Sequence, residues 1–436
     1  MKIKLSELKT YIGKEIELQG FVDNIRDMQY VQFLILKDRC GKVQVTLEKD
    51  GSLEELNKIV SSLPLESTVK IVGKVIENEK VKMGGVEVIP SSIEITSSPT
   101  KELPFNYKDK TNVNLDTRLD NRMVDLRNEE NLLIFQIQST FVNAMRNFLV
   151  EQDFTELHFP KLISAASESG SEVFEVKYFD RLAYLAQSPQ FYKQMAMASG
   201  FERVFEVAPC FRAENSNTSR HTTEFTSFDL EISYIKDFHD VMNLESEMLV
   251  HGLKVVKEKW GEKIKEVFGT EVIVPTLPFP TIALPKLYEE LKQRYNYEMP
   301  SEDQGDLNAE AEKLTAKFAM EEYGHEFIFV TDYDAKKRAF YHMRENGVPQ
   351  GFDLIWRGVE ITTGAQREHR YEILKQQAEE KGLAEDVKFY LDFFAHGCPP
   401  HGGLAIGVDR ITYLLLSLPT IKESMFLFRG PTRLNP

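Results

Sequence analysis

Residues 204–231, VFEVAPCFRAENSNTSRHTTEFTSFDLE, decide the fold. They read as a strand, a polar loop and a second strand, with Phe211-Arg212-Ala213-Glu214 at the head of the loop. Upstream, NLLIFQIQSTFVNAMRNFLVEQ (131–152) carries apolar residues at helical spacing and predicts a long amphipathic helix. It runs into FTELHFPKL, with Pro160 in an extended segment. Downstream, GGLAIGVDRITYLLL (402–416) is a glycine-rich strand entering a helix, with Arg410 at the junction. Strands such as EFIFVTDY and GFDLIWRGVEIT alternate with helical runs but without a repeated βαβ beat. That pattern predicts an α+β domain with a mostly antiparallel sheet.

In front of this domain, residues 15–96 form a small β module. EIELQGFVDNIRD, VQFLILKD, GKVQVTLEK, TVKIVGKVIEN and GVEVIPSSIEI are short β-rich runs separated by turn residues. Only LEELNKIVSSL (53–63), between the third and fourth runs, has helical spacing. Five strands with a helix in that place are the order of an all-β OB-fold barrel, a fold that often binds single-stranded nucleic acid. The stretch from Ser97 to about Asn114 is polar, aperiodic and contains two prolines. The expected domains are therefore 1–105 for the OB-fold, 106–130 for a linker or hinge, and 131–436 for the larger α+β domain.

Composition bounds the function without choosing it. Of the 436 residues, 42% are hydrophobic and 28% charged, close to the globular average. Three widely separated cysteines (Cys40, Cys210, Cys398) do not make a disulfide framework or a cysteine-based zinc module, and suit a reducing compartment. No long apolar run or hydrophobic leader stands out, so a cytoplasmic protein without a membrane span is expected. The net charge is −15, yet residues 1–110 are balanced, so the acidic excess lies wholly in the larger part. An acidic body limits non-specific adhesion to nucleic acid but leaves local patches free to bind it. There is no GxxxxGK[ST] loop, and no GxGxxG follows a strand into a helix. HGCPPH (396–401) has two histidines and a cysteine, but with no supporting ligand elsewhere it reads as a rigid loop and not as a metal site.

The three segments at 131–162, 204–231 and 402–416 resemble, in order and spacing, the three motifs of class II aminoacyl-tRNA synthetases. Amino-acid activation is attack by a carboxylate on the α-phosphorus of ATP, in which an anion approaches a polyanion. Charge neutralisation and alignment carry such a step, and arginine, permanently charged and fork-shaped, suits it. The resemblance implies that Arg212 binds the α-phosphate and the amino-acid carboxylate, and Arg410 the γ-phosphate. It gives Glu214 the adenine amino group, Phe225 the adenine face, and Arg220 and His221 the outer phosphates. In GFDLIWRGVEITTGAQREHRYE, Asp353 and Glu360 would hold Mg²⁺ with the ATP. Seven residues apart on one continuous strand they would face opposite ways, so a bulge or bend is expected between them.

Within class II, LAQSPQFYKQ (185–194) and TGAQREHRYE (363–372) resemble the aspartyl group. The resemblance gives Lys193 and Arg367 the side-chain carboxylate of aspartate, and Gln190 and Asp229 its orientation, Asp229 through the ammonium. SAASESGSEVF (164–174) is similar to the lid over the amino-acid site, with Glu168 and Glu172 as ammonium or network contacts; Ser169 and Ser171 stand where the group usually has smaller residues. Lys193 separates this reading from the asparaginyl enzymes, which normally lack it. In IRDMQYVQFLILKDRCGKVQV, Arg26, Phe33 and Gln44 match the anticodon-reading positions, with Phe33 as the stacking aromatic. The implied partners are ATP, L-aspartate and tRNA-Asp, with tRNA-Asn left open, and the implied assembly is a homodimer. The similarity covers residues 15–436 and is to the compact archaeal and eukaryotic type. The alternatives are an asparaginyl enzyme and, from another class, a non-catalytic RNA-binding relative; the set Arg212, Asp353, Glu360, Arg367 and Arg410 argues against the last.

Overall fold

Five strands close into a barrel: β1 (Glu15–Asp27), β2 (Val31–Asp38), β3 (Gly41–Glu48), β4 (Thr68–Glu77) and β5 (Val86–Ser97), in the spatial order β1-β2-β3-β5-β4. Helix α1 (Glu54–Ser62) connects β3 to β4. Alternation sorts the side chains: Leu34 and Leu36 on β2 and Val43, Val45 and Leu47 on β3 fill the interior. Phe33 and Gln44 fall on the opposite parity, only half-buried. The 106–109 segment packs with the barrel, where the buried Tyr107 hydroxyl accepts from Lys37 Nζ (2.7 Å) and donates to Glu66 Oε1 (2.6 Å). This computed structural model describes residues 3–109, 112–164, 173–215, 218 and 220–435. It divides into two units, Met1–Val113 and Asn114–Pro436.

The larger unit begins with α2 (Leu115–Asp120), α3 (Arg122–Asp125) and α4 (Glu129–Val150). Asn128 caps α4, its side chain accepting from the backbone N–H of Glu130 (2.9 Å) and Asn131 (3.3 Å). Here the structure differs from a linker over 106–130. Arg122 is buried and donates to the carbonyls of Glu423 (2.8 Å) and Met425 (2.9 Å), while Arg118 pairs with Asp125 (2.7 Å) and Glu423 (3.1 Å). Polar residues that look solvent-seeking in isolation are satisfied by groups three hundred positions away, so 114–130 belongs to the larger unit.

The chain continues through β6 (Thr155–Glu156), β7 (Leu162–Ile163), β8 (Glu175–Tyr178), β9 (Arg181–Leu185), α5 (Gln190–Ala198), β10 (Arg203–Phe211), β11 (Glu224–Ser233) and α6 (Phe238–Phe268). Next come β12 (Thr281–Ala283), α7 (Leu284–Tyr295), α8 (Ala309–Tyr323), β13 (Phe327–Thr331), β14 (Arg344–Glu345) and β15 (Val348–Pro349). The remainder is β16 (Gly351–Trp356), β17 (Val359–Gln366), α9 (Tyr371–Glu380), α10 (Lys388–Phe394), β18 (His401–Gly407) and α11 (Val408–Leu415). The main sheet runs β12-β13-β16-β17-β18-β11-β10-β6, parallel only at its two outermost pairings. Alternate residues, among them Phe228, Leu230, Leu354, Leu404 and Ile406, join a core with Phe141 of α4 and Met248 of α6. The intervening residues face the other way and build the site.

Asp353 and Glu360 do not share a strand. Arg357 (φ 50°) and Gly358 (φ 80°) reverse the chain between β16 and β17, a turn that needs left-handed backbone at two successive positions. The expected irregularity is present as well, a register shift between Leu354 and Ile355.

Candidate active site

Register brings one row of side chains across the middle of the sheet: Asp229 on β11 opposite Ala405 on β18, Ala405 opposite Thr363 on β17, and Thr363 opposite Asp353 on β16. Small residues at the centre of the row leave space, and two cavities open there. The first is lined by Arg212, Glu214, Arg220, His221, Phe225, Glu360, Thr363 and Arg410. The second is lined by Gln190, Asp229, Arg338, Tyr341 and Arg367. Gln187, Ser188, Arg212, Glu214, Thr363 and Ala405 line both. The expected ATP-site residues thus meet in one cavity, and Arg212 stands in the wall it shares with the other.

In the first cavity the Arg212 guanidinium lies 5.3 Å from the centre of the Phe225 ring. Arg410 donates through Nη1 to the carbonyl of Glu360 (2.7 Å) and lies 3.7 Å from its carboxylate. Burial, then the charges of Arg410, Arg220 and Arg212, hold the His221 imidazole below its ordinary pKa, against the pull of Glu214. Arg220 is engaged by Glu312 of α8 (2.7 Å), whose same oxygen accepts from the backbone N–H of Glu360 (3.1 Å). Thr222 Oγ1 and the Thr223 N–H both donate to the Arg429 carbonyl (2.8 and 3.1 Å), so the segment after α11 holds the base of the 212–223 loop.

The acidic pair is split by its partners. Glu360 lines the cavity, where burial and the neighbouring Asp353 charge push its carboxyl up to about 7. Asp353 is buried and bound at both oxygens by Arg338 (2.9 and 2.5 Å). A carboxyl held up by the charge of a second carboxylate beside it, with Thr363 Oγ1 donating to Glu360 (3.2 Å), forms an oxygen donor set suited to a hard divalent cation. Glu360 is its open member, and Asp353 is spent on Arg338.

In the second cavity Arg367 is buried, donating through Nε to Glu231 (3.0 Å) and through Nη2 to the Gly403 carbonyl (2.8 Å). Among the described residues none accepts from its Nη1. Lys193 is not on the wall. It is fully buried behind Asp229, with Nζ 3.1 Å from Asp229 Oδ1, 3.0 Å from the Leu404 carbonyl and 3.4 Å from Glu231 Oε2. Burial pushes the Glu231 carboxyl up, but Arg367 and Lys193 outweigh it and hold Glu231 below its ordinary value. Gly403 is required here, since a Cβ would collide with the Glu231 carboxylate and the Leu230 carbonyl. Glu168 and Glu172 lie outside the described residues.

In the barrel, Arg26 pairs with Phe33 across β1 and β2, and Phe33 with Thr46 across β2 and β3, with Gln44 two residues along. Gln44 donates to Glu87 (3.0 Å) and Thr46 Oγ1 (3.2 Å), and Asn78 also donates to Glu87 (2.8 Å). Sequence reasoning missed Glu87, Glu231, Glu312 and Arg338. Each acts on a chosen residue from a distant part of the chain, and only the alternation of Glu231 with Asp229 on one strand was a signal for any of them.

Residues 114–429 match the family model for class II tRNA synthetases (D, K and N), and 16–96 match that of the OB-fold nucleic acid binding domain. The chain is 39% identical over 437 residues to an aspartate–tRNA(Asp/Asn) ligase of Aeropyrum pernix, covering 99% of this chain and 98% of that one. It is 40% identical over 428 residues to the aspartate–tRNA(Asp) ligase of Pyrococcus furiosus, covering 97% of each. Among solved structures it is similar to asparaginyl-tRNA synthetase from Pyrococcus horikoshii complexed with asparaginyl-adenylate, with a TM-score of 0.89, 29% identity and full coverage of both chains. It is also similar to aspartyl-tRNA synthetase from Entamoeba histolytica, with a TM-score of 0.87, 30% identity and coverage of 100% of this chain and 93% of that one. With the arginines of its motifs gathered on two adjoining cavities and its relatives matched from end to end, the chain belongs to the class II tRNA synthetases of the D, K and N group.

Proposed function

We propose that the protein is an aspartate–tRNA ligase, activating L-aspartate with ATP and passing it to the 3′ end of tRNA-Asp. The observation that carries this reading is the pair of arginines on the second cavity. Arg212 sits where that cavity meets the ATP side, and Arg367 is buried in its wall with no acceptor for Nη1 among the described residues. A substrate with carboxylates at both ends would span them. Arg212 would draw the α-carboxylate and the α-phosphate together, so that a carboxylate oxygen attacks phosphorus and pyrophosphate leaves. The tRNA hydroxyl then attacks the acyl carbon, its proton passing to the phosphate of the AMP that departs. Neither step asks this chain for a general base; alignment and charge do the work.

Phe225 and Glu214 would bind adenine, and Arg220, His221 and Arg410 the outer phosphates. Glu360, with Asp353 once released from Arg338, would hold Mg²⁺, which lowers the charge of the triphosphate. Asp229 and Gln190 would take the ammonium. Lys193 would act from behind by fixing Asp229. Arg26, Phe33 and Gln44 would read the anticodon. The exposed apolar side chains Met123, Val150 and Phe426, close to α4 in sequence or packing, support a homodimer formed through this region. No described helix is long and apolar enough to cross a membrane, and a cytoplasmic site of action suits the substrates.

A second reading, asparagine as the substrate, has the likeness to the asparaginyl enzyme behind it. ATP–pyrophosphate exchange with aspartate, asparagine and lysine in turn separates the readings: exchange with aspartate alone is expected, and exchange with asparagine alone would overturn the assignment. Charging of purified tRNA-Asp and tRNA-Asn then reads the RNA specificity.

A further inference from the structure

Behind the second cavity lies a chain of buried polar groups to which the proposed mechanism gives no task. His401 opens β18 and is wholly inaccessible. Its Nδ1 lies 2.8 Å from the Pro399 carbonyl, which can only accept, so the ring proton resides on Nδ1. Nε2 is then a bare acceptor. The Gln194 amide, also inaccessible, meets it through Nε2 at 3.1 Å. That contact turns Gln194 Oε1 the other way, where it accepts from Gln190 Nε2 at 2.8 Å. Gln190 therefore has its nitrogen committed inward. Its Oε1, which takes no donor from the described residues, is the end left for the cavity that Gln190 lines.

Each link dictates the polarity of the next. A carbonyl that cannot donate fixes a tautomer, the tautomer fixes one amide, and that amide fixes a second. We propose that Gln194 and His401 are positioning residues that make Gln190 present a carbonyl oxygen, not an amide N–H, to the substrate. A ligand group rich in donors, such as an α-ammonium, is thereby accepted, and an acceptor at the same place is rejected. This deepens the amino-acid site proposed above and rests on that reading. His401 also joins the two ends of the site, because its backbone carbonyl accepts from the Arg367 N–H (2.8 Å). The chemistry near the ring agrees with a neutral imidazole: burial, with Arg367 adding to it, brings His401 down to about 4 despite the charge of Glu231.

The test uses the full chain and two variants. Gln194→Met keeps length and removes both polar ends. Gln194→Glu keeps an acceptor for Gln190 but offers His401 no proton. In aspartate-dependent exchange, Gln194→Met should raise KM for aspartate by about ten- to a hundredfold, the range for a hydrogen bond to a charged group, with KM for ATP within about twofold of wild type. Gln194→Glu should raise KM for aspartate less. Equal changes in both KM values, or none in a folded Gln194→Met, would overturn the proposal. Histidine-labelled protein gives a readout that needs no substrate: ¹⁵N shifts at neutral pH should show His401 neutral and protonated on Nδ1, moving to carry a proton on Nε2 in Gln194→Glu. A charged or Nε2-protonated ring in the wild type refutes the relay whichever amino acid is activated. Exchange with asparagine alone refutes the aspartate reading and leaves the NMR result to decide the relay.

Discussion

On the outer face of the barrel Arg26 is exposed and Phe33 and Gln44 are half-buried, whereas Asp229, Glu231 and Arg367 at the site face of the main sheet, and Lys193 of α5 behind them, are almost wholly buried. The barrel residues leave water only when a partner arrives. The sheet residues left it when the chain folded, and their mutual pairing offsets that desolvation before any ligand enters. Truncating the first kind should change binding and leave the fold alone, and truncating the second should change both.

Arg367→Leu is the strongest test of that contrast. It would strand a substrate carboxylate and leave Glu231 with Lys193 alone, a loss of about 3–5 kcal/mol for a broken buried pair. Aspartate-dependent exchange should fall more than about a hundredfold, with a lower melting temperature. A variant that exchanges nearly as well as wild type would show that the pocket has been assigned wrongly.

The sheet unit should also carry a pH signature. Glu245 on α6 is fully buried, and burial pushes its carboxyl up to about 8, against the opposing pull of the Thr362 hydroxyl. In the unfolded chain it titrates near about 4.3. Between those values the folded state holds the proton more firmly, so stability falls as pH rises through the window and levels above it. Glu245→Gln lacks this term. Its stability relative to wild type should climb by about 1.4 kcal/mol per pH unit up to about pH 8, measured by urea unfolding. A constant difference from about pH 5 to 9 would mean that Glu245 is already ionised in the fold.

On the barrel, Phe33→Ala should lower aminoacylation about five- to a hundredfold, the worth of one base–aromatic stack, while exchange and melting stay near wild type. Parallel losses in exchange and charging would return Phe33 to a structural role. The smallest effect is expected at Gln44, which Glu87 and Thr46 hold in place. Gln44→Ala removes about 1 kcal/mol of hydrogen bonding, a severalfold loss in charging only. A larger loss than Phe33→Ala would reverse the ranking of stacking over edge recognition.

What could be read from the sequence divides along the same line. The barrel's strand order and its helix follow from alternation and turn residues, since each strand's inner face is set by its own neighbours. The arginines of the ATP side were legible because their motifs are local. Buried charges were not. Arg338 on Asp353, Glu312 on Arg220 and Glu231 on Arg367 are matched across 15, 92 and 136 positions, and nothing in a window of sequence announces a partner that far away. The same holds for Lys193, whose place behind the cavity depends on two carboxylates from another element. The β16–β17 reversal was readable in principle from Gly358, but the continuous β-rich pattern of GFDLIWRGVEIT concealed it. HGCPPH, set aside as a metal site, proved to end in the buried His401.

β18 lies between β11 and β17, pairing with both along most of its length, yet in the chain it follows β11 by many elements and β17 only after α9 and α10. Any species in which β18 has not docked therefore exposes two long strand edges, from β11 and from β17, facing a gap one strand wide. Such edges are templates for a foreign strand. Closure of that gap also supplies Ala405 and Gly407 to the cavities and brings Arg410 on α11 to the ATP side. Protection from misassembly and acquisition of the site thus arrive in one event, and half-assembled chains are at once inert and prone to associate.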